Sequence, residues 1–282
     1  MGFGEYDLGN INNPALAKIQ PGAFIGRRNP HGRVFLFESF EDNPLKWVAA
    51  TSGSPFNTDS TVERSFNRAY DGKASLHLKV TQSLANIDAS RAFQHHANRI
   101  SAEFFFTFND AMRTVVDGQA LFFQLSYYDG AQLRTFRTEH RPHFHQWTAW
   151  AHNSGNPDGP TDLPNMVANN SSPSSATINV LASNFYIPAY DDALIGSTNF
   201  VSPQENWGRV KLIVDRSLGK YVGVEMDDKF YDISGFSPIF SGANTNVPAN
   251  TDTWIVTVAI VEDTLQYTGH AYFDAITLAE ES

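Results

Sequence analysis

Ten short segments that alternate apolar and polar residues follow one another along this chain, and almost nothing in it repeats at helical spacing. They are Val34–Phe40, Ala74–Val80, Ala102–Phe108, Ala120–Tyr128, Gln132–Thr138, Phe144–Ala151, Val210–Asp215, Tyr221–Met226, Trp254–Val261 and Ala271–Leu278. On a strand, successive side chains point to opposite faces, so each segment can bury one face only. Strands of this kind must pair into sheets, and each buried face needs a second sheet to cover it. Asp129-Gly130, between two alternating runs, marks a tight hairpin, and Gly219 marks another. Only Asp110–Val116 and Ala189–Ile195 suggest a turn or two of helix. The expected class is all-β: an antiparallel sandwich of two sheets.

Aromatic residues make up 13% of the chain, including 22 Phe, which is ample for a thick core between two sheets. Residues 1–32 are rich in Gly, Asn and Pro and have no period, so an extended N-terminal arm is expected there. Its scattered Phe3, Leu8, Ile11, Leu16, Ile19 and Phe24 would dock on the chain's own domain or grip a neighbouring subunit. Residues 33–282 are expected to form one sandwich, interrupted at 152–206 by a long insertion of Asn, Ser, Pro, Thr and Gly.

The formal charge of −10 and the lack of clustered Lys and Arg exclude a nucleic-acid binder that tracks phosphates, and adsorption to an anionic membrane is equally unsupported. No cysteine is present, which removes disulfides, thiolate metal sites and cysteine nucleophiles together. The N-terminus has neither the basic region nor the apolar stretch of a signal peptide or membrane anchor. A cytoplasmic or virion-associated protein is expected, reaching the exterior only by a non-standard route or after processing.

Three blocks carry a resemblance. Phe37-Glu38-Ser39-Phe40-Glu41 leads to Trp47, and a Tyr70-Asp71-Gly72-Lys73 turn precedes the strand Ser75–Val80. Trp207 opens a hairpin that turns at Gly219, and Tyr272-Phe273-Asp274 lies near the C-terminus. Together they resemble the jelly-roll sandwiches of carbohydrate-binding modules and of concanavalin-like lectin and glucanase domains. That resemblance implies a last strand lying beside the first. It also implies a structural Ca²⁺ where they meet, held by Glu41 and Asp274 with carbonyls near Asp71–Lys73, and with Glu38 or Asp42 as substitutes. A second reading has Asp274 bonding backbone groups alone.

The densest polar and aromatic cluster runs from Arg134 to His152. If it is one strand, His143, His145 and Trp147 share a face, with Arg137 on a neighbouring strand. Imidazoles beside an indole suit sugar rings, which stack on the aromatic and bond the polar groups. Arg137, His143, His145 and Trp147 are therefore the candidate ligand-binding residues. A structural reading puts Trp147 or Trp150 in the core. A Zn²⁺ reading uses His143 and His145 with His152 or Glu139. A lyase reading notes that Arg137-Thr138-Glu139-His140-Arg141 is similar to an alginate-lyase strand, but none of the alternating runs carries the Gln-x-His pattern those enzymes need, and no Tyr-Phe-Lys motif is found. Paired carboxylates for glycoside hydrolysis come nearest at Glu225-Met226-Asp227-Asp228.

The expected function is non-enzymatic recognition or assembly. The chain would bind polysaccharide through a sheet face, or serve as a virion (phage) surface or tail component contacting neighbouring subunits. The alternative is a polysaccharide-active lyase or glycoside hydrolase.

Overall fold

The structure, a computed structural model, describes residues 33–41, 45–53, 60–81, 85–114, 119–129, 132–143, 146–151, 168–172, 175–178, 207–226, 229–234, 238–241, 252–262 and 268–281. The expected arm at 1–32 and the expected helical turn at 189–195 lie outside these residues.

Strands occupy most of what is described. In chain order the first six are β1 (Arg33–Glu38), β2 (Val48–Gly53), β3 (Thr61–Ser65), β4 (Ser75–Thr81), β5 (Ala85–Gln94) and β6 (Arg99–Phe108). After one helical turn at Ala111–Thr114 come β7 (Gln119–Asp129), β8 (Gln132–Arg141), β9 (Gln146–Ala151), β10 (Ala168–Ser172) and β11 (Ser175–Ile178). The last six are β12 (Gly208–Asp215), β13 (Lys220–Met226), β14 (Lys229–Asp232), β15 (Ile239–Ser241), β16 (Thr253–Glu262) and β17 (Thr268–Glu280).

These strands form a two-sheet antiparallel jelly-roll sandwich. The eight-stranded sheet runs β14-β13-β12-β6-β17-β4-β3, with β1 also on β17. The nine-stranded sheet runs β10-β11-β9-β8-β7-β16-β5-β2, with β15 on β8. Ten of these strands fall on the ten alternating runs. Two of the others, β10 and β11, come from within the polar stretch 152–206 and extend the nine-stranded sheet beyond β9.

The core lies between the sheets. Phe104 and Phe106 of β6 and Phe273 of β17 meet Phe123 of β7, Trp147 of β9 and Trp254 of β16 in one buried cluster. Phe123 packs on Phe104, Phe106 and Phe273 at centroid distances of 5.4, 4.8 and 5.9 Å, so the two sheets interlock through aromatic rings.

First and last strands are neighbours, as the resemblance implied. β17 pairs with β4 from Thr268 to Phe273 and with β1 from Ile276 to Glu280. The changeover falls at Asp274-Ala275, where the register with β6 also shifts and Ala275 takes a φ of 47°. A non-glycine residue holds that conformation only when its surroundings impose it.

Candidate glycan-binding face and its opposite pole

The two sheets differ in what they offer to a ligand. On the outward side of the eight-stranded sheet, several charged groups engage one another: buried Arg209 pairs with Glu103 and Glu225, and Lys211 with Glu281. Phe105 on the same side is buried beneath the ring of Tyr70, stacked at 4.0 Å.

The outward side of the nine-stranded sheet is partly open and polar-aromatic. Leu121, Phe123 and Leu125 of β7 point into the core, so Phe122, Gln124 and Ser126 point out. By the same alternation Phe136 is core and Arg137 is outward on β8. Register then lines up one residue from each of five strands: Ser90 opposite Thr257, Thr257 opposite Gln124, Gln124 opposite Arg137, and Arg137 opposite Trp150. At about 4.8 Å per strand this row spans roughly 19 Å, perpendicular to the strands.

Arg137 is the centre of the row. Its Nε and Nη2 both donate to Oε1 of Gln124, at 3.0 and 2.9 Å. Its guanidinium lies 4.7 Å from the ring centre of Phe122 and 5.5 Å from that of Trp150. Burial pulls its pKa below the ordinary value, while Tyr221, Glu139 and Asp88 favour its charge. One pleat along, Trp150 Nε1 donates to Glu139 Oε2 at 2.6 Å, and Arg141 donates to the other oxygen. At the far end of that second row stands Asp88, whose carboxyl burial pushes up while a backbone amide of Ala50 and the charge of Arg137 pull it down. Ser90 and Thr257 share a hydroxyl contact of 2.8 Å.

The structure corrects the expected ligand face. β8 ends at Arg141 and β9 begins at Gln146, and these two residues pair. Pro142 cannot donate to the ladder, so the chain turns there instead of continuing as one strand. His143 sits half-buried in that turn, and His145 lies outside the described residues. The pairing puts Trp150 opposite Arg137 and Trp147 opposite His140, which reverses the parity expected for the tryptophans. Trp147 is 1% exposed, with its ring 4.6 Å from His140 and 5.7 Å from Phe106 and Phe123, so it is a core residue and no platform for a sugar.

Three of the other expected chemistries find little among the described residues. His145 and His152 of the Zn²⁺ reading lie outside the described residues, and Glu139 is engaged by Trp150 and Arg141. The lyase reading finds no Tyr-Phe-Lys motif in the sequence, and beside Arg137 the Ser126 hydroxyl is buried and bonded to Thr135 and Gln124. Glu225 of the hydrolase reading is paired with Arg209, and Asp227 and Asp228 lie outside the described residues.

The opposite pole holds Glu41 and Asp274, which converge on one turn. Asp274 Oδ2 accepts the amides of Tyr70 and Asp71 at 2.8 and 2.9 Å, and Oδ1 accepts that of Ala275 at 2.7 Å. Glu41 Oε1 accepts the amides of Lys73 and Ala74. Glu38 is elsewhere, accepting from Phe40 and pairing with Arg91. Asp274 is 0% exposed, and burial pushes its pKa to about 8 against the three amide donors. Asp71 beside it is also pushed up, by burial and then by the charge of Glu41. Among the described residues no three His, Asp or Glu form a metal-holding group, so a cation here would need carbonyl oxygens from the turn.

No protein-family model and no curated protein matches the chain. Among solved structures, the endo-β-1,4-glucuronan lyase of the fungus Trichoderma reesei superposes at a TM-score of 0.51 and 8% identity, covering 87% of this chain and 94% of the lyase. A carbohydrate esterase of the Shiga toxin-encoding bacteriophage phi24B covers 89% and 100% at 12% identity and a TM-score of 0.45. TmCBM61 in complex with β-1,4-galactotriose covers 88% and 99% at 10% identity and a TM-score of 0.39. The first likeness is one of fold, and the other two, below 0.5, add no argument. The fold is a jelly-roll β-sandwich like that of the lyase.

Proposed function

We propose that this chain is a polysaccharide-binding protein that holds a glycan chain across the nine-stranded sheet, along the row Ser90–Thr257–Gln124–Arg137–Trp150. The observation that carries this reading is the row itself: five strands in register present hydroxyls, an amide, a guanidinium and an indole on one outward line. Sugar hydroxyls donate and accept, and sugar C–H faces stack on aromatic rings, so the glycan would use the whole row. The two arginines of this face are matched by Glu139 and Asp88, which favours a neutral glycan over a polyanion.

Binding without turnover is the reading adopted. A lyase has to neutralise a uronate carboxylate and move a proton. Here two N–H groups of Arg137 already face Gln124, and the Tyr-Phe-Lys motif of such lyases is not in the sequence. The solved lyase of similar fold gives this reading its rival, so the test must detect both. Titration against cello-, xylo- and galacto-oligosaccharides, with glucuronan and alginate fragments beside them, is expected to give a dissociation constant of about 10 μM to 1 mM for a neutral member. Trp150→Ala should abolish it. New reducing ends or unsaturated uronate absorbance on incubation would establish catalysis instead.

The proposal includes a structural Ca²⁺ at the opposite pole. Its support is the burial of Asp274 among like charges: a cation at Glu41 and Asp274, completed by oxygens of the turn at 70–74, would hold both carboxylates ionised and pin first strand to last.

A further inference from the structure

We infer that Tyr221, a buried residue of the opposite sheet, is a positioning residue that sets the Arg137–Trp150 pair; its bearing on glycan affinity rests on the proposed function. Tyr221 belongs to β13 of the eight-stranded sheet, yet its ring crosses the core and meets Phe136 of β8 edge-on at 4.9 Å. Its hydroxyl reaches the seam between β8 and β9. There it accepts the backbone N–H of Arg137 at 2.8 Å and donates to the backbone C=O of Trp150 at 2.5 Å, with the C=O of Arg137 at 3.3 Å. These two residues are Cα partners in the ladder.

One hydroxyl therefore ties together the two backbones whose side chains, on the other side of the sheet, are the guanidinium and the indole of the row. Burial pushes the phenol pKa well above its ordinary value, so the proton stays on the oxygen and the donation to Trp150 persists across the working pH range. Neither Arg137 nor Trp150 has a long reach of freedom on such a seam: a change in strand separation moves the guanidinium relative to the indole directly. A site that stacks and hydrogen-bonds the same ligand depends on that spacing.

Tyr221→Phe keeps the ring and its contact with Phe136 and deletes only the bridge. The expected results are faster hydrogen exchange at the Arg137 amide, by about tenfold or more relative to the β7 amides, and a shifted Trp150 indole resonance. The affinity for whichever oligosaccharide of the panel binds the parent protein should fall about tenfold. Tyr127→Phe is the control, because Tyr127 is another buried core tyrosine whose hydroxyl lies near Arg216 rather than at this seam. It should lower stability without moving either Arg137 exchange or affinity. Unchanged exchange and an unmoved indole in Tyr221→Phe overturn the inference. Effects on exchange and indole in a protein that binds no oligosaccharide uphold the positioning and overturn the glycan reading instead. Should Tyr221→Phe fail to fold, the parent protein decides the matter: a slowly exchanging Tyr221 hydroxyl proton with a through-space contact to the Arg137 amide upholds the bridge, and its absence overturns it.

Discussion

Trp147→Ala should destabilise the protein by about 3–4 kcal/mol and leave the outward face of the nine-stranded sheet intact. A tryptophan buries 150–250 Å². At about 25 cal/mol per Å² that sets a ceiling of roughly 4–6 kcal/mol, and large-to-small core substitutions of aromatic residues typically cost about 3–5 kcal/mol. The lower part of that range applies because the indole Nε1 has no hydrogen-bond partner in the structure, so no buried bond is broken with the ring. What disappears is packing against His140, Phe106 and Phe123, including the contact by which β9 reaches β6 of the other sheet. At about 2–4 °C per kcal/mol for a domain of this size, the melting temperature should fall by roughly 6–16 °C. Urea titration followed by circular dichroism measures the first quantity and a thermal scan the second. Trp150→Ala, by contrast, removes a cation–π contact and one bond to Glu139, and should cost about 1 kcal/mol. A Trp147→Ala protein with the parent's stability but no glycan binding would refute the assignment of the two tryptophans.

Removing Ca²⁺ with a chelator should lower the melting temperature and adding it should restore the loss, since an ion bound only by the folded state stabilises it; an unchanged curve with no ion by elemental analysis removes Glu41 and Asp274 as ligands. Burial lifts the Asp274 carboxyl from 3.8 to about 8, so in the metal-free protein its contribution is full below about pH 4 and is lost as pH rises through about 8. The chelated protein should therefore lose stability across that window, by a few kcal/mol at most. The same window should be flat in Asp274→Asn. Gly72→Ala should cost about 1–3 kcal/mol, because Gly72 has a φ of +78° and a Cβ there would run into Glu41 Oε1; no loss in a thermal scan would mean that the turn does not hold Gly72 in this conformation.

Much of the fold was legible because period two is a strong signal when the inward residues are large. Runs such as Leu121, Phe123, Leu125 leave no doubt about which side faces the core. β5, the sequence ANIDASRAFQ, gives a weak period-two signal because Ala89 and Ala92 blur the contrast between its faces, although Ile87 and Ala89 are buried. The short β10 and β11 were invisible for a similar reason: Ala168–Ser172 and Ser175–Ile178 are polar, and what identifies them as strands is their pairing, to each other and to β9. Arg137 was legible as a site residue and its partner could have been. The Asp129-Gly130 hairpin signal in the sequence suggests Asp129 opposite Gln132, the pairing the two strands make, and counting back from there sets Gln124 opposite Arg137. Trp150 was not, because its face depends on where the turn after β8 falls. A shift of one residue there exchanges Trp147 and Trp150 between core and surface. Asp274 and Glu41 were placed by resemblance; backbone bonding was already an open reading for Asp274, and what sequence could not give is that Glu41 meets amides of the same turn.

If glycan is held on the outward face of the nine-stranded sheet, the five tryptophans of the chain will report it. With ¹⁵N confined to tryptophan, a binding oligosaccharide is titrated in and the five indole N–H resonances are followed. The indole of Trp150, which donates to Glu139 beside Arg137, should shift progressively and saturate. Those of Trp147 and Trp254, buried in the core, and of Trp207, against Tyr70 on the opposite sheet, should stay in place. A saturating shift at Trp207 with Trp150 unmoved would put the ligand on the other sheet and contradict the account.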